Sequence, residues 1–272
     1  MRLSTNLILL FTAAVFAGHA QWLDHRDPNI PRTKDGKADL AAPAPKLFGK
    51  PDLSGVWEAE RTPSSEFARV LGPGFEKVQV DAQDVTKEMI SVFWGVKPQE
   101  EPLRPETVQM MKQHAFVSPG LQCLPSSIPV STFVFNFKLV QAPNEIIMLT
   151  GTGDPPRQIY TDGRTLPKDP DPTWMGYSAG RWEGDTLVVE TAGFNDKSYL
   201  DASGHPRSQS MRITERFHRR DLGHMDLEMT FDDSKYYTRP FTIKTVLHLM
   251  PDTDVLEYVC NEGEKDRAHV AN

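Results

Sequence analysis

From Thr132 onward the chain alternates apolar and polar residues in short runs, which Gly, Pro, Asn and Asp separate. Alternation over about four to eight residues is typical of β-strands that bury one face. Because most connections are short, we expect neighbouring strands to be antiparallel. With a first strand over 53–60, the pattern predicts about ten strands. The later candidates are 132–141, 144–151, 156–162, 175–182, 186–193, 209–220, 224–232, 240–250 and 254–261.

The segment 209–232 predicts a hairpin whose register follows from its side chains. Its turn is Asp221-Leu222-Gly223, with Gly placed where a three-residue loop needs a left-handed residue. Arg220 then pairs with His224. Charges complement one another on one face and apolar residues share the other, so a slip by one residue would disrupt both patterns. The pairs that result are Arg216 with Glu228, Arg212 with Asp232, His218 with Asp226, Ile213 with Phe231, Phe217 with Leu227, and Glu215 with Met229.

A last hairpin is predicted around a turn at 251–254. It pairs Leu247 with Tyr258, and His248 with Glu257, which makes His248 a solvated surface residue.

Two regions depart from the strand pattern. Residues 21–50 are rich in Pro, Ala and charge without an apolar period, which indicates an extended arm. Residues 81–116 have helical character, with Asp81 or Asp84 as a cap and Pro105 at the start of a second helix. We therefore expect a mainly β domain over 51–272 that carries a small helical insertion.

An antiparallel meander with one apolar face closes into a barrel or pairs into a sandwich, and one motif favours the barrel. Gly55-Val56-Trp57 on the first strand resembles the G-x-W signature of lipocalins and the wider calycin group. The resemblance implies an up-and-down barrel of about 8–10 strands, with Trp57 closing one end under a basic residue from a late strand. The blocks GKPDLSGVW, GRWEGDTLVVET and EYVCNE also resemble a family of exported bacterial proteins without an assigned activity.

The N-terminus indicates export. Residues 1–20 combine Arg2, an apolar run over 7–17 and a small-residue end at Ala20, which is typical of a secretory signal peptide. The run is too short to span a bilayer, so we predict a periplasmic or secreted protein without stable membrane insertion, a retained anchor being the alternative.

The net charge bears on the possible binding partners, and the cysteine content bears on disulfide formation. A net charge of −7 argues against nucleic acid, which requires a basic face. The two cysteines, Cys123 and Cys260, are expected to form a disulfide in an exported protein, two buried thiols being the alternative.

The segment Gly176-Tyr177-Ser178-Ala179-Gly180 matches the G-x-S-x-G pattern of serine hydrolases. A nucleophile elbow requires a buried strand before the serine and a helix after it. Here prolines precede the motif, and a Glu-Gly-Asp turn with a second strand follows it. We therefore interpret Ser178 as a hairpin residue.

The hairpin register makes Glu215 a candidate functional residue, because it places this carboxylate on the inward face with Ile213 and Phe217. A carboxylate there must find a cation or a donor, or its pKa rises and it can act as a general acid or base. A structural ion pair is the other interpretation. The candidate partners are Tyr258, Tyr236, Tyr160 and Arg164.

The connection 193–210 contains the densest group of polar residues outside the strands, and His205 is its candidate acid or base. Asp162, His205 and Asp226 do not follow any metal-ligand spacing, so we predict neither a metal nor a cofactor.

The leading hypothesis is a barrel that holds a small, largely apolar molecule, with Trp57, Arg164, Tyr236 and Tyr258 as ligand-binding residues. The resemblance also implies an alternative, a cofactor-independent lyase, isomerase or hydratase that uses the same cavity. In that case Glu215 would move the proton, and His205 or a Tyr would assist. A third hypothesis is an assembly protein that grips a partner with its arm. The sequence does not define the oligomeric state.

Overall fold

The computed structural model describes residues 26–60, 91–93, 96–113, 119–151 and 153–260. The predicted signal peptide and the helix expected near Asp81 lie outside these residues. In the described ranges, no helix has both the length and the apolar character that a membrane span needs.

Within the described residues, nine strands form a closed barrel in which spatial order follows chain order, and the last strand returns to pair with the first. This confirms a mainly β fold and the expected strand number. Two further strands, β1 (Lys46–Leu47) and β2 (Lys50–Pro51), form a separate small hairpin. The barrel strands are β3 (Gly55–Ala59), β4 (Phe137–Gln141), β5 (Glu145–Thr150), β6 (Arg157–Tyr160), β7 (Tyr177–Glu183), β8 (Thr186–Ala192), β9 (Arg212–Arg219), β10 (His224–Asp232) and β11 (Phe241–Leu249).

One pair of barrel strands is parallel, which the sequence pattern did not predict. A ring with an odd number of strands cannot close with every neighbour antiparallel. The parallel pair is β6 with β7, registered through Ile159 with Ser178 and Tyr160 with Ala179. A parallel neighbour requires a crossover, and residues 161–176 provide it.

The β9–β10 hairpin has the predicted register at every pair, from Arg212 with Asp232 to His218 with Asp226. The role given to Gly223 was wrong, because its backbone does not adopt a positive φ. A Cβ at this position would lie 2.5 Å from the Cβ of Leu40, so the glycine is needed for the close approach of the arm.

The predicted last hairpin is wrong. β11 pairs with β3 on the side away from β10, which places His248 opposite Glu58 and not opposite Glu257. Residues 250–260 contain no strand, and Tyr258 is 48% exposed. The predicted strand 132–141 is also shorter than expected, since its first residues belong to a one-turn helix, Val130–Phe133.

The described part of the arm, residues 26–45, covers one end of the barrel, which we call the arm end. Backbone N–H groups of Leu222 and Gly223 donate to the carbonyls of Ala42 and Leu40, each at 2.8 Å. Arg32 donates from Nη1 to Asp252 at 2.7 Å. The β7–β8 and β9–β10 turns lie at this end, because the strands they join end there.

The long connections gather at the opposite end, which we call the loop end. They include α1 (Pro105–Gln113), which begins at the predicted proline, and α2 (Val130–Phe133). Two 3-10 turns, Pro98–Glu100 and Pro119–Gln122, complete the helical insertion. Cys123 at the end of this insertion forms the predicted disulfide with Cys260 in the C-terminal segment, with a Cα–Cα distance of 5.6 Å.

Removal of the disulfide by Cys123→Ser together with Cys260→Ser is expected to destabilise the protein. The two residues are 137 positions apart. Closing so long a loop lowers the entropy of the unfolded chain and thereby raises its free energy by about 5 kcal/mol in the chain-entropy model. Urea unfolding of the oxidised protein and of the double variant measures the difference. Equal midpoints and slopes would contradict a stabilising bridge.

Candidate functional site

A network of buried polar side chains occupies the barrel interior on β6 to β9. Arg157 donates from Nη1 to Glu215 Oε1 at 2.9 Å and from Nη2 to Oε2, which makes a bidentate ion pair. Its Nε donates to Ser178 at 3.1 Å, and Nη2 also donates to Thr191 at 2.9 Å. The hydroxyls of Ser178 and Thr191 are 2.9 Å apart. All four residues are buried, and Glu215 has 0% exposure.

The pairing explains how a carboxylate tolerates the interior. Both oxygens of Glu215 accept charge-assisted hydrogen bonds, the strongest kind that a protein makes. The geometry favours the structural interpretation of Glu215, and its role as an acid or base stays a prediction. The partner was not among the four candidates that the sequence suggested. The signal was present, since Arg157 and the buried Ile159 are two positions apart on one strand and must share a face.

Ser178 lies on β7 in the β7–β8 hairpin, as predicted, and is not followed by a helix. Its hydroxyl is held by Arg157 and Thr191. It is therefore part of the buried network and lacks the setting of a nucleophile elbow.

Trp57 lies at the arm end, where it is fully buried. The guanidinium carbon of Arg219, near the end of the late strand β9, lies 4.8 Å from the centre of its ring. The indole Nε1 donates to the carbonyl of Leu53 at 3.0 Å. Burial lowers the pKa of Arg219 to about 10, and the charge is held by backbone carbonyls, including that of Asp221 at 3.1 Å. This is the arrangement that the lipocalin resemblance implies, and it closes the barrel at this end.

The other predicted ligand-binding residues do not converge on Glu215. Arg164 is exposed on the β6–β7 crossover, where it pairs with Asp162 and stacks 3.7 Å from the ring centre of Tyr160. Tyr236 is partly buried at the loop end, and its carbonyl accepts from Thr107 at 2.9 Å. Tyr258 lies outside the barrel, with its ring centre 6.4 Å from that of Phe135. A role in binding stays a prediction for each of them.

His205 is buried between two carboxylates at the loop end. Its Nδ1 lies 2.6 Å from Asp201 Oδ2, and its Nε2 lies 3.6 Å from Glu101 Oε2. Burial alone would lower the pKa of His205, but the two carboxylates outweigh it and raise the pKa to about 9. Asp201 also accepts from the backbone N–H of Val92 at 2.7 Å, so the cluster ties three segments together. The ring of Phe93 packs edge-on against His205 at 4.8 Å.

Beside this cluster lies a pocket of about 300 Å³, which we call the loop-end pocket. Its walls are mainly apolar and aromatic, and its rim carries the exposed charges of Glu100, Arg239 and Lys244. The rings of Phe93 and Phe241 lie 4.6 Å apart at one wall. The lining residues are Ser91, Val92, Phe93, Val96, Glu100, Pro102, Phe133, Arg239, Phe241, Thr242, Ile243, Lys244 and Thr245.

The strand β11 supplies the inner side of this pocket. It pairs with β10 from His248 to Phe241, but with β3 only from Leu249 to Leu247. Within the described residues, no strand is registered beside Phe241–Thr245 on the β3 side. Thr245 is 8% exposed, and its hydroxyl lacks a hydrogen-bond partner in the described part of the chain.

Two larger grooves, of about 440 and 510 Å³, lie on the outer surface of the barrel. Charged residues such as Arg216, Glu228 and Arg181 line them, and both grooves are more open to solvent than the loop-end pocket. Nowhere in the ranges that the structure describes do three or more potential metal ligands converge.

Replacing Glu215 by Gln is expected to destabilise the protein by about 3–5 kcal/mol, because Arg157 is left charged and buried without a counter-ion. The double change Arg157→Met with Glu215→Met should recover most of this loss, since it removes both charges. Denaturant unfolding of the three variants tests this. The exposed Glu183, which pairs with Arg216 at 3.0 Å, is the control, and Glu183→Gln should lower the unfolding free energy far less, because solvent screens the pair. An equal cost at the two glutamates would refute the structural role.

The raised pKa of His205 predicts a loss of stability in alkaline solution. A histidine that binds its proton more tightly when folded stabilises the protein fully below pH 6.5, and this contribution is lost as the pH rises through about 9. The shift corresponds to about 3 kcal/mol. The difference in unfolding free energy between the native protein and His205→Gln should therefore shrink over this range. A difference independent of pH, or the same trend in the exposed His218→Gln, would contradict the assignment.

Comparison with known proteins does not add a family assignment. No model of a known protein family, no curated protein and no solved structure matches the chain. The geometry is compatible with a lipocalin-like barrel, since the strands close in chain order and Trp57 packs against Arg219. The pocket and the buried polar groups are therefore the features of the protein that bear on its function.

Proposed function

We propose that the protein binds a small, largely apolar molecule in the loop-end pocket. The observation that carries this proposal is the pocket itself, a cavity with Phe93, Phe133, Phe241 and Ile243 in its walls. A barrel with such a cavity is the usual setting of small-molecule binding.

The size and polarity of the pocket define the ligand class. A volume of about 300 Å³ is at the lower limit of small-molecule sites, which span about 300–1,000 Å³, so the ligand is small. Phe93, Phe133, Phe241 and Ile243 offer apolar contact along most of its length.

The centre of the barrel supports this function less well than the loop end. The side chains of Arg157, Glu215, Ser178 and Thr191 already bond to one another there. An enzymatic function based on Glu215 would require that carboxylate to leave Arg157 before it could exchange a proton. The geometry therefore favours binding over the lyase, isomerase or hydratase alternative. The arm packs against the barrel of its own chain. This contact gives the arm a role that does not require a partner protein.

A periplasmic or secreted location forms part of the proposal. The disulfide between Cys123 and Cys260 is typical of proteins in oxidising compartments. A small apolar molecule in such a compartment needs a carrier, because it is poorly soluble in water.

Filling the pocket is expected to abolish binding. Ile243→Trp places an indole into the cavity, whereas Val140→Trp adds the same group to an exposed site on β4 and serves as the control. The probe is the apolar dye N-phenyl-1-naphthylamine, followed by fluorescence. We expect the native protein and Val140→Trp to bind it equally and Ile243→Trp to bind it at least tenfold more weakly.

Thr245→Val separates the hydroxyl from the shape of the cavity. It preserves volume and removes an unpaired buried group, so it should stabilise the empty protein by about 1 kcal/mol and leave dye binding intact.

Absence of dye binding by the native protein would refute an apolar site, and equal binding by both Trp variants would refute its location.

A further inference from the structure

Two histidines lie side by side on the outer surface of the barrel, near the arm end. β10 and β11 place His224 directly opposite His248, and β3 places Glu58 opposite His248 on the other side. The two imidazole rings are 5.4 Å apart between centres and nearly perpendicular, at 81°. Both histidines reach solvent.

One of the two rings is already oriented by a carboxylate. Asp221 Oδ1 lies 2.8 Å from Nδ1 of His224, and the same oxygen accepts from the backbone N–H of His224 at 2.8 Å. A carboxylate on one ring nitrogen fixes the tautomer and leaves the other nitrogen with its lone pair outward, which is the arrangement around protein-bound zinc. In the described part of the chain, no hydrogen bond engages Nε2 of His224 or either ring nitrogen of His248.

We propose that His224 and His248 form a surface site for a divalent transition-metal ion, with Zn²⁺ as the best fit. A zinc–nitrogen bond of about 2.1 Å places each ring centre about 3.2 Å from the metal, so a tetrahedral angle separates the centres by about 5.2 Å. The separation of 5.4 Å agrees with this value. Two imidazoles at a right angle to the metal, as in a square-planar site, would be only about 4.5 Å apart.

Neighbouring charges favour a cation at this position. The carboxylate of Asp221 lies beside the histidine pair, and the nearby cation Arg220 pairs with Asp226 at 3.4 Å. No third protein ligand converges in the described residues, so water completes the coordination. Because two protein ligands supply about half of a structural four-ligand site, we expect a dissociation constant on the order of 10 µM.

The test is calorimetric titration of the full, untagged protein with ZnCl₂. We expect one site per chain, a loss of affinity of at least tenfold in both His224→Gln and His248→Gln, and no binding of Mg²⁺, which prefers oxygen ligands. The control is His218→Gln, an exposed histidine on β9 outside the pair, which should bind Zn²⁺ as the native protein does.

Two results would overturn the site. One is no detectable binding at several times the expected dissociation constant. The other is native affinity in the double variant His224→Gln with His248→Gln, which would place the metal elsewhere. Should a variant fail to fold, imidazole ¹⁵N chemical shifts of the native protein decide instead. Zinc must then shift Nε2 of His224, and unchanged shifts for both rings would refute the proposal.

Discussion

The ion pair between Arg157 and Glu215 is the interaction on which the barrel depends. It connects β6 to β9, and the hydroxyls of Ser178 on β7 and Thr191 on β8 complete it, so four consecutive strands share one network. The parallel β6–β7 seam lies within this span and has only two registered residue pairs. Charge-assisted hydrogen bonds are strong in a dry interior, where few other polar groups compete for them. The network therefore strengthens the barrel where its backbone pairing is shortest.

The two ends of the barrel, on either side of this network, differ in how they are packed. At the arm end, Arg219 over Trp57, the backbone of Leu40 and the β9–β10 turn leave the interior closed. At the loop end, aromatic side chains pack around Phe241 and leave a cavity beside β11. A ligand is thus directed to the periphery of the loop end, because the centre of the barrel is filled by side chains that satisfy one another.

Local patterns predicted most of the fold, and long-range pairing limited the rest. The β9–β10 register could be predicted because one face of charges and one of apolar residues leave a single alignment, with Glu215 inward. Arg157 could have been placed inward by its spacing from Ile159, but its partner lies 58 residues away and no local pattern connects them. The last hairpin failed because β11 could pair with the C-terminal segment or with β3, and only closure of the whole ring decides between them.

The strand β11 explains why both proposed sites lie where they do. It pairs with β10 over eight residue pairs but with β3 over three, since β3 ends at Ala59. Where β3 is present, the sheet is continuous, and continuity sets Glu58, His248 and His224 in one row on the outer face. Along Phe241–Thr245, the described residues that line the pocket include Ser91–Phe93, which lie outside regular secondary structure. The strand β11 thus carries a polar outer surface near one end and contributes to the wall of the loop-end pocket near the other. The pocket and the histidine pair are therefore separate features of the same strand, and changing one leaves the geometry of the other intact.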